Sequence, residues 1–79
     1  MKRKLPSEEF LRKDQLIRKT QFDTVWYFEL SDIAAWLGED LDGVETVVLP
    51  IVDEGETVLK KCTSLTDIRR FLRDKGVID

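Results

Sequence analysis

The sequence predicts a small α+β domain: an antiparallel sheet of two β-hairpins with two to three helices packed on it. Three observations predict it. The β-rich runs come in two pairs, each pair divided by a short turn-forming stretch; helix-start residues and apolar positions at helical spacing follow each pair; and the chain has only 79 residues. A chain of that length buries roughly 60% of its unfolded surface, enough for one modest core. The expected division is a basic N-terminal arm or short helix over residues 1–14 and a single α+β domain over residues 15–79.

Pro6-Ser7-Glu8-Glu9 has the form of a helix start, with acids near the positive end of the helix dipole and Phe10, Leu11 and Asp14 continuing it. Leu16 to Thr20 and Val25 to Leu30 read as strands joined by Gln21-Phe22-Asp23-Thr24. Ser31 then reads as the N-cap of a short helix with Asp32 in its first turn, Ile33, Trp36 and Leu37 on one face, and Gly38 as its stop. After the acidic loop Glu39-Asp40-Leu41-Asp42-Gly43, Val44 to Val52 and Thr57 to Cys62 flank Asp53-Glu54-Gly55-Glu56, which predicts a second hairpin closed by a type I turn with a bulge at Gly55. Pro50 lacks a ladder donor and places its strand at a sheet edge or at a bulge. Ser64-Leu65-Thr66-Asp67 is a capping box with Asp for the usual Glu. Leu65, Ile68, Phe71 and Leu72 form the apolar stripe of the last helix, and Gly76 ends it, leaving Val77-Ile78-Asp79 to pack back or fray.

Composition removes several function classes. One cysteine, Cys62, and no histidine leave neither a disulfide framework nor a plausible set of zinc ligands, and a reducing, cytoplasmic setting fits best. The basic start Met1-Lys2-Arg3-Lys4 is followed by Leu5-Pro6-Ser7-Glu8-Glu9 where a signal peptide needs an apolar stretch, and no run is long enough to span a bilayer. Without histidine the commonest general base is missing, so the chain is expected to be no enzyme. The glycines are scattered one to a turn, which leaves no phosphate loop. Asp40 with Asp42, and Asp53 with Glu54 and Glu56, lack the spacing of a calcium loop and read as solvated turns; no metal or cofactor is expected. Cys62 beside Lys60 and Lys61 reads as a small buried hydrophobe rather than a reactive thiol.

Charge is segregated along the chain. Residues 1–20 hold seven cations against three carboxylates, residues 21–59 hold ten carboxylates and no cation, and residues 60–79 hold six cations against three carboxylates. If the ends meet, they make a positive face on an acidic protein; otherwise each charge solvates its own surface. On the last helix, Arg69, Arg70 and Arg73 fall on one flank while the apolar stripe faces inward, and Lys60 and Lys61 lie on the strand leading into it. These five are the candidate polyanion-binding residues, suited to phosphates or an acidic protein surface, against the plainer reading of a solvated flank with Asp67 and Asp74 as counter-charges. Strand alternation turns Trp26 and Phe28 one way and Tyr27 the other, so Tyr27, with Glu39, Asp40 and Asp42 of the acidic loop, is the candidate protein-interaction set.

Val25-Trp26-Tyr27-Phe28-Glu29-Leu30-Ser31-Asp32-Ile33-Ala34-Ala35-Trp36-Leu37-Gly38 resembles the N-terminal Bro domain of phage and viral antirepressor-type proteins. There a tryptophan-x-phenylalanine strand runs into a short aspartate-valine/isoleucine-alanine helix ending in leucine-glycine. The later hairpin and helix follow in the same order, so the resemblance covers about residues 15–73. It implies DNA binding and gene regulation. Here the loop between Gly38 and Val44 is shorter and more acidic than such domains often carry. The expected function is therefore a small non-enzymatic regulatory or adaptor domain that contacts DNA through the basic edge. The alternative is a protein-interaction module acting through its acidic middle or an exposed sheet edge, homodimerisation included.

Overall fold

Over residues 4–78, which the computed structural model describes, the chain runs α1 (Glu8–Lys13), β1 (Lys19–Phe22), β2 (Val25–Glu29), α2 (Leu30–Leu37), β3 (Val47–Asp53), β4 (Glu56–Ser64) and α3 (Leu65–Asp74). The first three residues of the expected basic arm, and Asp79, lie outside the described residues. The fold is α+β: a four-stranded antiparallel sheet in the order β1-β2-β4-β3, with the helices on one face.

Both hairpins close through two residues with left-handed backbone, Asp23-Thr24 (φ 51° and 65°) and Glu54-Gly55 (φ 51° and 82°). These are type I′ turns, whose twist matches that of the strands they join. The expected type I turn with a bulge is therefore absent from the second hairpin, where β3 and β4 pair without interruption from Val47↔Cys62 to Asp53↔Glu56. The first hairpin also shifts. Asp14 accepts from the Leu16 amide at 2.9 Å through its carboxylate and from the Ile17 amide at 3.3 Å through its carbonyl, so the expected start of β1 is spent on a turn and the strand begins at Lys19.

β2 runs into α2 with no loop between them. The N-cap of α2 is Glu29, not Ser31: its carboxylate accepts from the Asp32 amide at 2.8 Å and from the Ser31 hydroxyl at 2.7 Å. Glu29 is still extended and paired with Cys62, so the helix starts as soon as the ladder releases the chain. At α3 the cap is Ser64, which accepts from the Asp67 amide at 3.2 Å and donates to the Asp67 carboxylate at 2.9 Å.

Register sorts the strand residues onto two faces. Trp26, Phe28 and Thr63 lie on the helix-covered face, where Phe28 joins Leu11, Ile33, Leu37, Ile68 and Leu72 in the main core. Leu11 is fully buried, so α1 is part of the domain's core, and Ile78 packs back onto the same cluster. On the other face Leu49, Ile51 and Cys62 form a second, smaller cluster with Tyr27 against it. Among the described residues no helix covers that cluster. The sheet itself bends around it: the edge strands β1 and β3 approach one another, and the Arg18 guanidinium reaches Asp53 at 3.3 Å.

Candidate interaction surface

The continuous apolar run Val47 to Val52 faces both ways, and only one of its faces is covered. Leu49 and Ile51 turn into the concave side of the sheet. Val48, Pro50 and Val52 turn to the convex side with Leu59, the cross-strand partner of Pro50. Val48 is 58%, Val52 70% and Leu59 72% exposed, and Pro50 is exposed with them. This is the same side of the sheet that carries the helices. They cover β2 and the last residues of β4 and stop short of the hairpin's outer length, in a molecule 41 Å long and 23 Å across.

The edge beside this strip is blunted. In a hairpin with a two-residue turn the flanking pair, Asp53↔Glu56, is hydrogen-bonded, and bonded and non-bonded pairs alternate from there. Pro50↔Leu59 falls on a non-bonded pair, so the nitrogen at position 50 faces away from β4. The proline therefore costs the hairpin nothing and removes an outward donor from the middle of the edge. A strand added along β3 would find that central donor missing.

The five candidate cations do not gather on one edge. Lys60 and Lys61 are strand neighbours and point to opposite faces, Lys60 half-buried on the concave side and Lys61 exposed on the helix side. On α3, Leu65, Ile68 and Leu72 are buried and Arg69, Arg70 and Arg73 exposed. Arg70 pairs with Asp67 at 3.8 Å and lines a shallow hollow with Glu45 and Asp74, so carboxylates surround that guanidinium. Arg73 is also engaged. Among the described residues Lys60, Lys61 and Arg69 have no ion-pair partner. At the other end of the chain, Arg12 stacks over the Trp26 ring at 5.0 Å, Lys13 pairs with Glu9 at 3.1 Å and Lys19 donates to the Asp14 carbonyl at 2.8 Å.

The other candidate set is likewise divided. Tyr27 is packed against the inner cluster of the curled sheet rather than presented to a partner. The large exposed aromatics are instead Phe10 (62%) and Phe22 (59%). Asp40 and Asp42 are exposed and Glu39 is half-buried at the mouth of a groove floored by Leu30, Ala34 and Leu41. Asp40 also serves its own turn, accepting from the Asp42 amide at 2.9 Å. Cys62 is fully buried, and burial, reinforced by the nearby Glu29 carboxylate, pushes its thiol above the ordinary range.

Sequence reasoning assigned Val48, Val52 and Leu59 to a hairpin without seeing that their face is open. The available signal was the unbroken apolar run: a half-covered strand alternates, so six apolar residues in succession declare two apolar faces. Among the described residues no helix is long and apolar enough to cross a membrane. Comparison with family models, curated proteins and solved structures finds no match to this chain.

Proposed function

We propose that this chain is a non-catalytic protein-interaction module whose docking surface is the convex face of the β3–β4 hairpin. One observation carries the reading: Val48, Pro50, Val52 and Leu59 form a contiguous apolar strip, 58–72% exposed at its three large aliphatics, on the outer part of a sheet whose remainder is covered by helices. The blunted edge supports face-on contact over strand addition. The lone, fully buried thiol suits the cytoplasmic setting in which the module is proposed to act.

A photo-crosslinking residue placed at position 59, and in a separate variant at position 69, tests this in living cells. Adducts with protein are expected from position 59, and Val52→Asp introduced alongside abolishes them. Absence of any adduct from position 59 overturns the reading.

A second reading, polyanion binding, draws on the exposed Arg69 and Lys61, which have no ion-pair partner among the described residues, and on the Bro-like stretch from Val25 to Gly38. Electrophoretic titration of random duplex DNA at low salt tests it. Micromolar binding that weakens with salt and with Arg69→Ala supports it, and no shift in that range retires it.

A further inference from the structure

The convex strip carries an ordered charge pattern along its length. Its centre is the Pro50↔Leu59 pair. One step toward the helices, Lys61 shares the face with Val48; one step toward the turn stand Val52 and Thr57, and beyond them Glu54 caps the hairpin, exposed, with Glu56 beside it. Cation at the base, apolar centre and carboxylate at the tip therefore follow one another. Among the described residues neither Lys61 nor Glu54 has an ion-pair partner within the chain.

We infer that the occupant of this strip is a second copy of the same chain, packed face to face across a two-fold axis that lies midway between the two sheets, parallel to their planes and perpendicular to the strands, over Pro50↔Leu59. The inference rests on the reading of the strip as a docking surface and adds its partner. Charge selects the arrangement. An axis perpendicular to the strands runs the two hairpins antiparallel and brings each Lys61 toward the other copy's Glu54, twice per dimer. An axis along the strands stacks Lys61 on Lys61 and one acidic tip on the other. Lys61 stands about 7 Å from the centre and Glu54 about 13 Å on the opposite side at the rise of a strand. The flexible stem of lysine spans the offset. The apolar centre is closed by its own kind: valine, proline and leucine meet the same residues, and no charge is left buried without a partner.

The strip is narrow and its face convex, so a contact smaller than the roughly 800 Å² per partner of standard stable interfaces is expected. A weak dimer that forms with rising concentration is the expected species.

Sedimentation velocity of the full chain from about 1 μM to about 1 mM covers the range in which such weak contacts form. The wild type is expected to move from monomer to dimer across that range. Leu59→Asp is expected to remain monomeric throughout, with an unchanged circular dichroism spectrum because the position is exposed. Lys61→Glu and Glu54→Lys should each raise the dissociation constant several-fold, and the double exchange Lys61→Glu/Glu54→Lys should restore most of the loss. That recovery is a readout that simple surface hydrophobicity does not produce. A wild type monomeric at every concentration overturns the inference, as does a dimer that survives Leu59→Asp or a double exchange without recovery. Crosslinks from position 59 to a different protein, with a monomeric wild type, overturn the dimer and leave the docking surface standing. Loss of both removes the surface as well.

Discussion

The Trp36 indole nitrogen donates to the Asp14 carboxylate at 2.6 Å, across twenty-two positions of sequence. That bond ties α2 to the turn after α1. The other carboxylate oxygen of Asp14 holds the Leu16 amide at 2.9 Å, so one side chain fixes both where β1 starts and where α2 lies. Asp14→Ala removes both bonds and should cost about 1–3 kcal/mol. Trp36→Phe removes only one and should cost less. Urea denaturation of the two variants and their double mutant measures the coupling; additive losses would show that the bond does not link the two elements.

Truncation of Leu11 tests whether the N-terminal helix belongs to the core. Leu11 is fully buried while Leu16, five residues on, is 80% exposed. Leu11→Ala should cost about 2–5 kcal/mol, and Leu16→Ala should fall within about 0.5 kcal/mol of the wild type. Equal effects in thermal denaturation would mean that α1 does not contribute to the fold's stability.

Thr24 holds a left-handed φ of 65° in the first hairpin turn, a conformation that a β-branched residue adopts only with strain. Thr24→Gly should therefore stabilise the protein by about 1 kcal/mol, in spite of the greater freedom it gives the unfolded chain. A lower denaturation midpoint would show that the turn is not strained.

Ser64 caps α3 in both directions with Asp67, at 3.2 and 2.9 Å. Ser64→Ala should lose about 1 kcal/mol, and the first turn of α3 should fray first in hydrogen exchange. Unchanged protection across Leu65 to Ile68 would count against the cap.

The raised Cys62 thiol gives a pH dependence of defined sign. The unfolded thiol ionises near its ordinary value of 9.0, and in the folded chain burial, with Glu29 adding to it, keeps the thiol neutral to higher pH. The stabilisation is complete below about pH 9 and is lost as pH rises through the folded value. Wild-type stability should fall more steeply above pH 9 than that of Cys62→Ala. The native thiol should react with dithionitrobenzoate far more slowly than the unfolded one. Equal rates would mean that the thiol is open to solvent.

What the sequence made legible was local. Ser64 could be read as a cap because its partner Asp67 is three residues away, and the stripe Leu65, Ile68 and Leu72 because helical spacing is written in the chain. Where two neighbours competed, locality was insufficient. Glu29 displaces Ser31 as the cap of α2 because β2 stays paired up to Glu29, a fact set by β4 more than thirty residues on. The bending of the sheet is more distant still. It brings β1 to β3 and Arg18 to Asp53 and leaves Tyr27 packed against the inner cluster, whereas Lys60 and Lys61 part company by strand alternation alone. The open convex face follows from the same bend, since a strand with two apolar faces does not state which one the rest of the molecule will cover.

Pro50 has a last consequence, for the protein's solubility. Val47-Val48-Leu49-Pro50-Ile51-Val52 is uncharged and rich in β-branched residues, the composition from which stacked fibrils grow. Its ring withholds the outward donor at the centre of that hexapeptide, where an added strand would have to be held, which acts against such stacking.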